Sequence, residues 1–394
     1  MDSLLGGIRI LDLSRLVAGN QLTMMLGDFG ADVIKVEQAG VGDSLRRWQV
    51  EEVEVHWKVY GRNKRSIELD LKRDLDLTLL LRLVETADVL VESFKPGDLE
   101  RFGLSPEVLR GRNQALVVTR ISGWGQTGSH SKRPGFGTLV EAMSGFAAMN
   151  GFADRPPVLP PGALADMIAG IYGAFATVAA VRKAEQTGEG QDIDLSLFEP
   201  LFSTLGPQAL NYALTGLVPE RSGSRMNISA PRNVYECSDG KWLAMSGSTQ
   251  PMAEQFFRVM DRSDLVTDPR FVTNAARVAN MDALDAIVGE YFARSTLAEN
   301  LGVMESAGIT AAPVYDISDL VRSEYFRTRR VLIDGPDADD PDRVIPMHDV
   351  VPRLSGTPGS VARPAPRLGE HTEEILRSIA IDDEWDEFAA HIDG

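Results

Sequence analysis

The chain has 394 residues, 43% hydrophobic and 25% charged, with a net charge of −17. That is the profile of a globular protein long enough for a large core and two domains. So acidic a chain argues against nucleic-acid binding, because neutralising phosphates takes clustered Lys and Arg. The single cysteine, Cys237, rules out an internal disulfide and a multi-cysteine zinc site.

The opening "MDSLLGGIRILDLSRL" carries Asp2 where a signal peptide would be basic, and a strand-like run follows at once. The expectation is a cytoplasmic protein without a targeting segment. Ile8–Ser14 reads as a buried strand and "NQLTMMLGDFG" as a helix closed by Gly30. Strands follow at Asp32–Glu37 and Arg65–Leu71. "DLDLTLLLRLVETA" has helical spacing, with Leu77, Leu80, Leu81 and Val84 on one face. "DVLVESF" is a strand, "SPEVLRGRN" a short helix and "ALVVTRIS" a strand. Strands alternating with helices predict an α/β layer with a mostly parallel sheet.

A long helix is expected from Asp166 to about Arg182–Lys183, then a turn and a strand in "QTGEGQDIDLSLFEP". Met167–Val181 has no charge but is shorter than the roughly 20 residues a bilayer needs. Its many alanines and glycines suit close packing inside a protein, so no membrane partner is expected. Thr215–Asn233 is polar and turn-rich and reads as a linker. A second α/β block holds the strand "KWLAMSG", helices around Met252–Met260 and Met281–Phe292, and "GITAAPVYD". "IDGPDADDPDR" is an acidic turn, and a Pro/Gly-rich arm from Arg353 leads into a terminal helix.

The dinucleotide fingerprint G-x-G-x-x-G is missing: "SRLVAGNQL" follows the first strand, and "GVGDSL" lacks the third glycine. No P-loop, H-E-x-x-H or G-x-S-x-G occurs. His56, His130, His348, His371 and His391 show no metal-ligand spacing, and His371 sits where a helix begins. No metal site and no permanently bound cofactor are expected. Cys237 reads as a buried, inert thiol.

Asp166 stands out. It follows "PPG" at the head of the apolar helix, where the helix dipole favours an anion. One reading is an N-cap, for which Asp is a preferred residue. The other is a nucleophile.

The segments "ILDLSRLVAGNQLTMMLGDFGADVIKVEQAGVGDSLR", "GRNKRSIELDLK", "ADVLVESFKPGDLERFGL", "RISGWGQTG", "LADMIAGIYGAFATVAAV", "TGEGQDIDLSLFE", "ITAAPV" and "PRLGEHTEEIL" run in this order over nearly the whole chain. Together they resemble the class III CoA-transferase family, which includes formyl-CoA:oxalate and carnitine CoA-transferases and the α-methylacyl-CoA racemases. The resemblance implies a Rossmann-like large domain built from both chain ends (1–214 and 334–394), a smaller α/β domain with its linker (215–333), and an interlocked ring-like homodimer. It implies CoA transfer from an acyl-CoA to a carboxylic acid, with coenzyme A as substrate and Asp166 as nucleophile. A mixed anhydride and an aspartyl-CoA thioester would be the intermediates.

By the same resemblance, Val17 and Ala18 meet the nucleotide end of CoA, and Leu69 and Lys72 give adenine- and phosphate-side contacts. Ser93 and Phe94 match the family's "ENFRPG" motif, with Ser93 in place of Asn, and Arg101 binds phosphate. For Lys72 and Arg101 the competing reading is a solvated face; for Leu69 and Phe94 it is core packing. Gly123 and Gly125 of "SGWG" are candidate oxyanion donors.

Departures matter too. The racemases carry a Gly-His-Asp motif where this chain has Phe136 and Gly137 in "RPGFGTLVEAMSG". One of the two bases needed for exchange at an α-carbon is thus missing. Many transferases have "RPGYD…QAxSG"; Phe136, Gly137 and Glu141 replace its Tyr, Asp and Gln. "MSGSTQPM" stands roughly where the oxalate enzymes have consecutive glycines, which weakens oxalate or formate as substrate. A racemase with Asp166 as one base, and a non-catalytic acyl-CoA binder, remain as alternatives.

Overall fold

The computed structural model describes residues 3–379. Met1, Asp2 and residues 380–394, with His391 and the end of the expected 334–394 segment, lie outside the described residues. The backbone forms two compact units. The larger takes the chain up to Ala147, Leu159–Gly216 and the chain from Thr328 onward; the smaller takes Ala148–Val158 and Leu217–Arg327. Residues 148–158, which the sequence reading leaves in the large domain, thus cluster with the smaller unit.

The larger unit is built on β1 (Arg9–Asp12), β2 (Asp32–Glu37), β3 (Lys64–Glu68), β4 (Val89–Glu92), β5 (Val117–Ser122) and β6 (Asp192–Ser196). They form one sheet in the order β3-β2-β1-β4-β5-β6, with every pairing parallel. Strands covered on both faces must be apolar on both, and β1 shows it. Ile10 packs into one core with Leu22, Val33 and Val117, while Leu11 packs into the opposite core with Ile34, Leu80 and Leu90. The strand order reverses between β1 and β4, so the loops after these strands open a crevice at the sheet's carboxyl edge.

The helix Asp74–Val84 buries Leu79, Leu80, Leu83 and Val84. The apolar stripe is therefore rotated from the expected one, and Leu77 and Leu81 are only partly covered at its margin. With leucine at so many positions, periodicity alone does not fix the face. The helix Thr372–Ile379 brings Ile375 and Leu376 into the same core as residues of β1 and β2, which joins residues far apart in sequence.

On the other face of the sheet the helix Leu16–Asp28 packs against the long helix Leu164–Thr187. Small residues make this possible. A Cβ at Gly170 would lie 2.8 Å from Gln21 Cγ, and one at Gly173 would lie 2.5 Å from Leu22 Cδ1. The long helix is apolar and long enough to cross a membrane by length and composition. Ala165, Ala169, Gly170, Gly173, Ala174 and Thr177 are nevertheless buried in the protein. The helix runs past the expected end at Arg182–Lys183 to Thr187, where Gly188 adopts φ 73°. Ala184 extends the small-residue face by another turn, and the glycine supplies the left-handed cap.

The smaller unit differs from a parallel α/β block. Its strands β7 (Arg232–Glu236), β8 (Trp242–Ser246) and β9 (Ala311–Pro313) form an antiparallel sheet. The helices Gln250–Val259 and Met281–Phe292 help close a core around Leu243, Phe256, Phe257 and Phe292, in which Cys237 is buried. Burial pushes its thiol pKa up, consistent with an inert cysteine. Back in the larger unit, the expected acidic turn is partly strand: β10 (Leu332–Pro336) and β11 (Val344–His348) form a hairpin around it.

Candidate active site

Two cavities open at the crevice between the β1 and β4 loops. The first, about 220 Å³, is walled by Ser14, Glu37, Gln38, Leu69, Lys72 and Phe94 among others. The second, about 380 Å³, has Leu16, Ala18, Ser93, Phe136 and Asp166 in its wall. Arg15 and Phe94 belong to both, so the two abut along one track. The Arg15 N–H donates to Ser93 Oγ at 2.9 Å and ties the β1 loop to the β4 loop.

Asp166 is the third residue of the long helix, and the helix's N-cap is Ala163. The capping is supplied from elsewhere: buried Glu141, on the short helix Gly137–Met143, accepts the Ala165 N–H at 3.2 Å. The N-cap reading of Asp166 is thereby replaced, and its half-buried carboxyl faces the cavity. Burial, and next the Glu141 carboxylate, raise its pKa to about 6; its own N–H and that of Ala18 pull the other way. Ala18 lies in the first turn of the helix Leu16–Asp28, where backbone N–H groups have no partner inside the helix. Two helix N-termini therefore meet at one carboxylate.

Gly137 leaves room for that carboxylate. A Cβ at this position would lie 2.2 Å from Asp166 Oδ2. Any residue with a Cβ here would require the Asp166 carboxylate to move. Phe136, 60% exposed, lines the second cavity with a ring that cannot carry a proton.

The β1 loop is strained beside the carboxylate. Leu16 adopts φ 63°, a left-handed conformation that costs a residue with a Cβ about 1–2 kcal/mol. Its N–H is held at 3.1 Å by Asp43 Oδ1. Asp43 is fixed in turn by Asn20 at 2.7 Å, by the Leu45 N–H at 2.9 Å and by Lys35 Nζ at 3.0 Å. Lys35 also contacts Asp12, which pairs with Lys64 at 3.0 Å. Burial alone would raise the Asp12 carboxyl, but Lys35 and Lys64 hold it well below the usual range. Burial brings the Lys64 ammonium down to about 8 even beside Asp12.

The residues singled out from sequence separate clearly. Asp166, Ala18, Ser93, Phe94, Gly123 and Phe136 meet at the second cavity; Leu69 and Lys72 meet Phe94 at the first. Gly137 and Glu141 stand directly behind Asp166. Val17 does not reach either wall: its side chain packs with Leu45, Trp57 and Ala365. Arg101 is exposed and outside both walls, and pairs one turn back with Asp98, which lines the first cavity. Gly125 turns away, its N–H donating to Ser122 Oγ at 3.0 Å, so it offers no free oxyanion donor.

Sequence reasoning missed three cations in the second wall: Arg15, Lys95 and Arg133. Asp166 is the one acid among that cavity's described wall residues. Arg133 donates to His130 Nε2 at 2.9 Å when that nitrogen is unprotonated. Each lies in a loop far from the others in sequence, and only the fold brings them together.

Comparisons with known proteins identify the family. The family model for CoA-transferase family III matches residues 5–372. A succinyl-CoA–D-citramalate CoA-transferase of Chloroflexus aurantiacus is 35% identical, over 95% of this chain and 94% of its own. The β subunit of a succinyl-CoA–L-malate CoA-transferase of the same organism is 37% identical, over 95% and 94%. The crystal structure of a CAIB/BAIF family protein from Brucella suis superposes with a TM-score of 0.85 at 31% identity, covering 96% of this chain and all of that one. With the family model spanning almost its whole length, this chain belongs to CoA-transferase family III and is an enzyme that transfers CoA.

Proposed function

We propose that the enzyme moves CoA from an acyl-CoA donor to a free carboxylic acid, with Asp166 as the covalent nucleophile. One observation carries this: a half-buried carboxylate, relieved of capping by Glu141, faces a cavity that continues into a second one along the switch-point crevice. The nucleotide end of CoA lies in the first cavity, against Leu69 and Lys72. The pantetheine arm passes Phe94, and the thioester reaches Asp166.

The carboxylate attacks the thioester carbonyl and expels CoA thiolate, leaving a mixed anhydride. The thiolate then attacks the aspartyl carbonyl, releasing the donor acid and forming an aspartyl-CoA thioester. The acceptor carboxylate attacks that thioester, CoA thiolate leaves again, and its attack on the acceptor's acyl carbon frees Asp166. Arg15, Lys95 and Arg133 draw the anionic acceptor into an otherwise acidic protein. Succinyl-CoA, the donor in the names of both Chloroflexus relatives, is the first donor to try, with hydroxydicarboxylates as acceptors.

The racemase alternative is disfavoured, because Phe136 occupies the position of its second base. We also read the protein as a cytoplasmic homodimer, interlocked as the family resemblance implies. Exposed Ile171, Tyr172 and Phe175 on the long helix would be covered by the second copy.

The test uses the purified enzyme with acyl-CoA and carboxylates in heavy water. Labelled CoA should exchange into the acyl-CoA pool, mass spectrometry should find CoA on Asp166, and Asp166→Asn should abolish both. Rapid α-deuteration without CoA exchange would favour the racemase instead.

A further inference from the structure

We infer that Asp43 is a positioning residue for Asp166: by gripping the Leu16 N–H it holds the left-handed turn that carries the Ala18 amide to the nucleophile. The inference rests on the reading of Asp166 as nucleophile. Leucine does not choose φ 63° unaided, and a strained residue persists only where its surroundings impose it. Two clamps impose it here. Ser93 Oγ accepts the Arg15 N–H and Asp43 Oδ1 accepts the Leu16 N–H, at consecutive residues. Asp43 is 2% exposed, and its other contacts, Lys35, Asn20 and Leu45, leave it little freedom to shift.

The geometry also links the two cavities. Asp43 lines the first, while Leu16 and Ala18 line the second. A carboxylate in the nucleotide-side wall thereby fixes the backbone against the reacting group. The grip acts on the donor that favours the ionised nucleophile, so its loss should move Asp166 further toward the protonated form. The other charged groups facing Asp166 are Glu141 from the Gly137 helix and Arg15, Lys95 and Arg133 in the cavity loops. All of them remain when Asp43 is changed.

The experiment compares the full-length enzyme with Asp43→Ala, which leaves no acceptor for the Leu16 N–H, each with and without Asp166→Asn. The stability difference within each pair, followed from pH 5 to 8, locates the Asp166 titration without any need for turnover. Losing one charge-assisted hydrogen bond should move it up by about one pH unit. With succinyl-CoA as donor, kcat should fall about tenfold or more and its low-pH limb should move with the titration, with KM within about threefold. An unmoved titration with a raised KM would overturn the inference and make Asp43 a CoA contact alone.

Where Asp43→Ala does not fold, the double variant Leu16→Gly/Asp43→Ala decides. Glycine adopts φ 63° without strain, so the pair should fold and turn over; an unfolded or inactive pair overturns the inference. Full turnover by Asp166→Asn would defeat the nucleophile reading instead. The stability-based titration would still report the Asp43–Leu16–Ala18 link, so the two failures are distinguishable.

Discussion

Asp166→Asn should make the protein more stable at neutral pH while removing its activity. The carboxyl's pKa rises from an ordinary 3.8 to about 6 on folding, through burial and the adjacent Glu141. The folded state therefore binds this proton more tightly than the unfolded state. Stability falls as pH rises from about 4 to about 6, and above that the ionised group carries the full cost. Two pH units at about 1.4 kcal/mol each put that cost near 3 kcal/mol. Asparagine stays neutral, can accept the Ala18 N–H, and can donate to Glu141 instead of repelling it. Urea unfolding of both proteins from pH 5 to 8 tests this. The advantage of the variant should grow through pH 6 and level off near about 3 kcal/mol, the trade of stability for activity expected at a functional site. A variant no more stable than its parent at pH 7.5, or an advantage already complete at pH 5, would refute the reasoning.

Glu141→Gln should keep an acceptor for the Ala165 N–H but remove the like charge, so the low-pH limb of turnover should move toward acid; a pH–rate profile reads it. Gly137→Ala puts a Cβ where Asp166 Oδ2 lies. It should destroy turnover and cost about 1–3 kcal/mol of stability, measured by steady-state kinetics and denaturant unfolding. Lys72→Ala should weaken CoA binding in low-salt calorimetry, with the difference shrinking as salt is added. Arg101→Ala should weaken it less, because that guanidinium lies outside the cavity wall and is already paired with Asp98.

The parallel sheet was legible because its strands are short apolar runs punctuated by turn residues, and Asp32–Glu37 is reproduced without a shift. The apolar face of Asp74–Val84 was not, since leucines on adjacent faces satisfy the same period. Asp166 stood out as a lone charge heading an apolar helix. That Glu141 would do the capping could not be read, because the contact joins residues 24 apart through the folding of two helices. Lys95 and Arg133 sit inside the quoted segments "ESFKPG" and "RPGFG", but no spacing joins them to each other or to Arg15, and Leu16 was invisible because nothing in "SRLVAGN" announces a positive φ at a leucine. Distances across loops decide these features, and a sequence pattern holds only distances along the chain.

The opposing influences on Asp166 bear on the chemistry itself. In the proposed first step the carboxylate must displace a thiolate, whose conjugate acid has a pKa near 8.5. An ordinary aspartate is almost five pH units less basic than the group it expels, so the anhydride collapses backward far more readily than forward. Raising Asp166 to about 6 closes roughly two of those units and still leaves the group almost wholly ionised at pH 7.5. Burial and Glu141 push toward the stronger nucleophile, while the Ala18 N–H and the long helix's own first turn keep the anion from being lost to protonation. Too little of the first would give a carboxylate that attacks feebly; too little of the second would give a neutral acid that does not attack. The placement of Glu141 behind the nucleophile and of the strained Leu16 turn in front of it answers both requirements at once.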